Sequence, residues 1–127
     1  VIFVDTNVFM YAVGRRHPLR AEAQAFFVEA ASKPAERLCT SAEVLQELLH
    51  AYIPVGRLAT LDAALELVGG VTAEVWPIEQ ADVELARVLL DGHPGLGARD
   101  LLHLASCQRR GVARIKTFDR TLGAAFG

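Results

Sequence analysis

Cysteine is nearly absent: among 127 residues only Cys39 and Cys107 occur. They form no Cys-x-x-Cys pair, which excludes a disulfide framework and a cysteine-based zinc site. Both stand among apolar neighbours and read as buried, reduced thiols of a protein kept in a reducing compartment. Long apolar runs are missing too. The longest are far shorter than the ~20 residues needed to cross a bilayer, so no membrane association is expected. No basic segment followed by an apolar stretch opens the sequence, and the expected location is the cytoplasm. Neither sign of charge dominates: fifteen acidic groups face thirteen basic ones, for a net charge of −2. Bulk charge therefore points to no polyanionic partner. With 52% hydrophobic and 22% charged residues, and no repeat or low-complexity tract, the composition excludes disorder. A chain of this length buries roughly two thirds of its unfolded surface. One domain spanning residues 1–127 is the expectation.

What is present is an alternation of short β-type runs with helical patterns. Val1-Ile2-Phe3-Val4 is fully apolar, as in a buried parallel strand, and stops at Asp5. A helical turn over Val8–Val13 leads to the basic loop Gly14-Arg15-Arg16-His17-Pro18, and Leu19–Ser32 reads as a helix. Arg37–Cys39 is a second strand. Thr40 opens a helix with the apolar stripe Val44, Leu45, Leu48, Leu49 and Tyr52, and Leu58–Val68 forms another, ended by Gly69-Gly70. Glu74–Ile78 is a third strand, Glu79–Leu90 a helix, Ala98–Arg110 a helix, and Ala113–Lys116 a fourth strand before a last helical turn. Strands alternating with helices predict an α/β fold, a three-layer α/β/α sandwich around a parallel sheet. In such sheets ligands bind beyond the carboxyl ends of the strands.

Acids fall at those ends. Asp5 follows the first strand and Asp119 the fourth, while Glu47 and Asp100 sit on helices in apolar surroundings. Helix capping is a competing reading for Asp5, Asn7 and Asp119. For Asp100 the competing reading is the favourable macrodipole of a first turn. Thr40-Ser41-Ala42-Glu43 fits a capping box, which gives Glu43 a structural task. Glu47 has no cation four residues away on either side, since Glu43 and Ala51 stand there. It is the better functional candidate. Four carboxylates in one cleft would repel, each pair by about 4 kcal/mol at 4 Å and an effective dielectric near 20. Such a cluster persists where protons or a cation compensate it. An all-oxygen, highly charged donor set selects Mg²⁺ or Mn²⁺, and its chemistry is attack of activated water on a phosphodiester. Eleven of the thirteen cations are arginine, which suits forked phosphate contacts and equally fits a base-composition bias. Arg15, Arg16 and Arg20 follow the first strand and could hold phosphates at the same rim.

Taken together, these segments resemble the PIN-domain nucleases, and within them the VapC-type toxins of toxin–antitoxin pairs. The carriers are Val4-Asp5-Thr6-Asn7-Val8, Thr40-Ser41 with Glu47-Leu48-Leu49, Arg99-Asp100-Leu101-Leu102-His103-Leu104-Ala105, and Thr117-Phe118-Asp119-Arg120. Nearly the whole chain is covered. The resemblance implies sheet order 3-2-1-4-5, of which the sequence itself supplies four strands. It also implies Mg²⁺- or Mn²⁺-dependent ribonuclease activity, a cognate antitoxin as partner, and a homodimer. By position it makes Asp5, Glu47, Asp100 and Asp119 the acidic quartet, with Thr6, Asn7 and Thr117 as polar supports. Asp5, Asp100 and Asp119 would hold the metal, and Glu47 would act through a water. The products would be 5′-phosphate and 3′-hydroxyl ends.

Other classes fit less well. Glu47-x-x-His50 and Asp100-x-x-His103 echo di-iron carboxylate bundles, but strands between the helices leave no room for four long ones. A receiver domain would want paired acids after the first strand, and a haloacid-dehalogenase phosphatase wants Asp-x-Asp where this chain has Asp5-Thr6-Asn7. His50 and His103 are then surface residues or supports behind the acids. The non-enzymatic alternative is a degenerate PIN scaffold that binds RNA or a protein without cleaving.

Overall fold

The computed structural model describes residues 1–127. Its centre is a four-stranded, all-parallel sheet: β1 (Ile2–Val4), β2 (Leu38–Ser41), β3 (Glu74–Trp76) and β4 (Ile115–Lys116), in the order β3-β2-β1-β4. The fifth strand implied by the family resemblance is not among these residues. Every residue of β1 and β2 is buried, which is why β1 reads as an unbroken apolar run rather than an alternating one, while β2 closes on the buried hydroxyls of Thr40 and Ser41. Seven helices cover the sheet: α1 (Thr6–Val13), α2 (Arg20–Ala31), α3 (Ala42–Tyr52), α4 (Leu58–Val71), α5 (Gln80–Leu90), α6 (Ala98–Arg109) and α7 (Arg120–Ala125). Helices α1 to α4 pack on one another, as do α5, α6 and α7, which gives the three layers.

The larger core joins the sheet residues Ile2, Phe3, Val4, Leu38 and Cys39 to Val8, Phe9, Phe27, Val44, Leu48 and Leu61. Phe3, wholly buried, stacks on Trp76 at 5.6 Å, and one such side chain contributes about 1.5–3 kcal/mol. A smaller core, with Leu96, Leu101, Leu104 and Leu122, lies among α5, α6 and α7. Both cysteines are buried and free, and burial pushes the Cys39 thiol up to about 12 and Cys107 higher still. They are inert, as their apolar neighbours predicted.

Several elements differ from the sequence expectation. Thr40 does not cap a helix. It lies in β2, where its hydroxyl donates to Val4 O at 2.9 Å and ties the two central strands. Ser41 occupies the α3 N-cap position without a side-chain cap, so the capping box assigned to Thr40 and Glu43 does not form. Gly69 and Gly70 do not end α4, which runs on to Val71. Each glycine costs about 1 kcal/mol inside a helix, offset here by Val68 and Val71 packing on the core at either side of the pair. A capping box does form on α5, between Glu79 and Asp82. Asp82 is fully buried and also accepts from Arg109 at 2.8 Å and Arg110 at 2.9 Å, which clamps α5 to the end of α6. After that clamp Gly111, at φ +69°, lets Val112 N–H donate back to Cys107 O at 2.9 Å as the chain turns into β4.

Candidate active site

Register brings the first and last acids together. Val4 pairs with Lys116, and Asp5 N–H donates to Lys116 O at 3.0 Å, so Asp5 and Thr117 leave neighbouring strand ends side by side. Asp5 is buried and caps α1, its Oδ1 accepting from Thr6 N–H at 2.7 Å. Its Oδ2 accepts from the Thr117 hydroxyl at 2.7 Å. That hydroxyl oxygen accepts in turn from Asn7 Nδ2 at 3.3 Å and from Asp119 N–H at 3.0 Å. Asn7 Oδ1 takes Phe118 N–H at 3.2 Å. Asp119 caps α7 by accepting from Leu122 N–H at 3.1 Å. The capping and cleft readings of Asp5 and Asp119 thus coexist: backbone donors hold each carboxylate at the rim.

Helices supply the other two acids. Glu47, on the buried side of α3, accepts from the Thr6 hydroxyl through Oε2 at 3.0 Å. Asp100 stands in the first turn of α6 and makes no side-chain hydrogen bond or ion pair within the protein. Asp5, Glu47, Asp100 and Asp119 line one cleft of about 260 Å³ together with Thr6, Asn7, Met10, His50, Ala51 and Arg99. A second hollow of about 370 Å³, with Arg114, Phe118 and Arg120, adjoins it across Asp119.

Electrostatics mark the same place. Burial pushes the Asp5 carboxyl up, with Glu47 adding to the rise, against the opposing pull of His103, Thr117 and Thr6. Burial, then the charges of Asp5, Asp119 and Glu47, push Asp100 up. Glu43 is raised as well, by burial and by Glu47. Carboxylates crowded so that ionisation becomes costly are poised for a cation.

The sequence reading left His103 open between the surface and a support behind the acids, and it missed Arg99. His103, one turn beyond Asp100, is not at the surface: it is 1% exposed, with Nε2 2.6 Å from Glu47 Oε1 and 3.6 Å from Asp5 Oδ1. Burial works against its protonation, yet the carboxylates of Glu47, Asp5 and Asp100 outweigh it and push its pKa up. Glu43 is not held in a capping box and does not line the cleft. Arg99 is the cation that lines the cleft, and its place directly before Asp100 was the available signal. Arg15, Arg16 and Arg20 are exposed and line neither hollow. The loop holding the first two is fixed by Tyr11, which stacks on His17 at 4.4 Å and meets Phe118 edge-on at 5.5 Å.

Comparison with known proteins gives the family and the fold. The family model described as PIN domain matches residues 2–125. Ribonuclease VapC23 of Mycobacterium tuberculosis is 67% identical over 126 residues, covering 99% of this chain and 98% of the relative. Ribonuclease VapC13 of the same organism is 43% identical over 120 residues, covering 94% and 91%. Among solved structures, Mycobacterium tuberculosis VapC20, titled a Sarcin-Ricin loop cleaving toxin, superposes with a TM-score of 0.79 at 25% identity, over 98% of this chain and 95% of that one. A toxin–antitoxin complex from Klebsiella pneumoniae, at TM-score 0.65 and 16% identity over 94% of this chain and 87% of that one, shares the fold.

Proposed function

This chain belongs to the PIN-domain family, in its VapC branch, and from that premise we propose that it is a metal-dependent endoribonuclease, the toxin of a toxin–antitoxin pair. The observation that carries the proposal is the meeting of Asp5, Glu47, Asp100 and Asp119, remote in sequence, around one cleft. The donor set fits Mg²⁺ or Mn²⁺: it is rich in carboxylate oxygen, and the raised Asp5 and Asp100 signal charge awaiting compensation. Asp5, Asp100 and Asp119 would hold the ion, with Glu47 acting through a water. When bound, the ion would activate water and neutralise charge on the phosphodiester.

The protein's own part is positioning. Thr117, Thr6 and Asn7 fix Asp5, Glu47 and the Phe118 backbone by hydrogen bonds, so the carboxylates face the cleft without reorganising when substrate arrives. Arg99 in the cleft and Arg120 in the adjoining hollow are exposed and in no ion pair, which suits them to phosphates on either side of the scissile bond. Arg15, Arg16 and Arg20 serve phosphates farther along the RNA. Residues 1–127 act as one domain, working as a homodimer in the cytoplasm and silenced by a cognate antitoxin.

The test is cleavage of RNA followed by end-sequencing, with Mg²⁺ and in excess EDTA. Discrete cuts leaving 5′-phosphate and 3′-hydroxyl ends, dependent on Mg²⁺ and absent from the Asp100→Asn variant, are expected. Metal-independent cleavage, or RNA binding with no cleavage and no metal uptake, would favour the degenerate scaffold instead. Growth arrest on expression, relieved by a neighbouring reading frame, tests the antitoxin.

A further inference from the structure

We infer that His103 is a positioning residue for the hydrolytic site: its imidazole holds Glu47 in the orientation the cleft requires. The inference rests on the function proposed above, and its observations are independent of any bound ion. Glu47 reaches in from α3 on a side chain with three rotatable bonds, and left alone it would swing away from Asp5 into water. Two contacts prevent that. The Thr6 hydroxyl donates to Oε2 at 3.0 Å, and His103 Nε2 stands 2.6 Å from Oε1. Glu47 is thus bounded from within the protein at both oxygens, by a hydrogen bond at Oε2 and by a close contact with the imidazole at Oε1. The same Nε2 is 3.6 Å from Asp5 Oδ1, too long for a hydrogen bond but close enough to place the imidazole beside both carboxylates.

The imidazole is itself rigid. Its side chain is 1% exposed, and the ring lies against Phe3, centroids 5.4 Å apart. Neither ring nitrogen, nor Glu47 Oε1, has a hydrogen-bond partner elsewhere in the protein, so the 2.6 Å approach of Nε2 to Oε1 is the closest polar contact that either side chain makes through these atoms. A solvent-facing histidine could not do this, because water would satisfy both it and Glu47. Helix α6 makes the arrangement economical: one turn carries Asp100 to the cleft and His103 beneath it.

Three forms of the full chain test the inference: wild type, His103→Leu, which fills the space without a donor, and His103→Gln, whose amide N–H can still reach Glu47. Mn²⁺ affinity is measured by calorimetry without RNA, then kcat and KM with RNA, and folding by near-ultraviolet circular dichroism in EDTA. His103→Leu should bind Mn²⁺ about 10–100-fold more weakly and lose kcat by a similar factor, with KM for RNA unchanged, and His103→Gln should recover most of both. A folded His103→Leu with wild-type Mn²⁺ affinity and kcat overturns the inference, as does a His103→Gln no better than leucine. Should the leucine variant not fold, the wild type decides: an imidazole Nε2 proton protected from exchange in EDTA, and exposed in Glu47→Asp, is expected, and rapid exchange in wild type overturns the contact. Nitrogen coupling to bound Mn²⁺ in the paramagnetic resonance spectrum would make His103 a ligand and refute positioning. A wild type that neither binds Mn²⁺ nor cuts RNA brings down the proposed function itself, and this inference with it.

Discussion

The hydroxyl of Thr117 donates to Asp5 Oδ2 at 2.7 Å while its oxygen accepts from the backbone N–H of Asp119 at 3.0 Å. One side chain thereby sets the spacing of two acids that lie at opposite ends of the sequence and just beyond the ends of adjacent strands, β1 and β4. Thr117→Val preserves shape and removes the hydroxyl, leaving Asp5 without one donor and Asp119 N–H without an acceptor. RNA cleavage should fall about 10–100-fold, and the unfolding midpoint should drop by about 3–10 °C for a loss of ~1–2 kcal/mol. Thr117→Ser should restore both. Steady-state kinetics and differential scanning calorimetry on the three proteins provide the check.

Asp100 should separate activity from stability. It has no hydrogen bond or ion pair to lose and sits among like charges. Asp100→Asn should abolish cleavage, yet unfold in EDTA at the wild-type temperature or a few degrees above it, since relief of repulsion is worth on the order of 1 kcal/mol. A large fall in midpoint would show that the residue has a structural partner.

Metal addition should reverse that ranking. At 100 times its dissociation constant, Mg²⁺ stabilises a binding-competent protein by about 2.7 kcal/mol. Wild type should show this rise in melting temperature, and Asp100→Asn little or none of it. Titrating Mg²⁺ against both proteins during thermal unfolding gives the answer directly.

How much of this was legible in the amino-acid order divides along physical lines. Asp5 and Asp119 could be read because a parallel sheet fixes where its strands end. Asp100 and Glu47 stood out as carboxylates in apolar company with no local partner. The capping box at Thr40 failed because a β-branched residue beside buried β1 gains more from pairing and from its bond to Val4 O than from capping α3. His103 was left between a surface place and a support behind the acids, because helix periodicity says which residues share a face, whereas only its packing against Phe3 and Glu47 says which face is dry. The glycine pair in α4 misled because tertiary burial overrode a local stop signal.

Acid should weaken the α5–α6 clamp within a defined window. Burial pushes the Asp82 carboxyl up, but Arg110, the Glu79 backbone N–H and Arg109 outweigh it and hold the pKa at about 2 against an ordinary 3.8. A depressed carboxyl stabilises the fold above its unfolded value, and that contribution disappears as pH falls from about 4 through about 2. Its size is at most about 2 kcal/mol, because the arginines remain partly in water and are screened. Asp82→Asn should lower stability at pH 7 and flatten the acid limb between those values, as followed by urea unfolding at stepped pH.

RNA affinity should depend on the two unpaired arginines at the cleft. Replacing Arg99 and Arg120 by alanine should weaken binding to uncleaved RNA in EDTA and reduce the steepness of its salt dependence by about one to two counterions. The metal-free melting temperature should hardly move. Fluorescence anisotropy across a range of KCl concentrations reads out both the affinity and its slope.

Asp5 and Asp119 each anchor the start of a helix, so the architecture itself would retain them even in a descendant that had given up hydrolysis. Asp100 has no such protection, for no hydrogen bond or ion pair within the polypeptide depends on its carboxylate. Among descendants, genetic drift would erase position 100 soonest once selection for cutting lapsed. An aspartate surviving there tells more about a living enzyme than one at position 5 ever can.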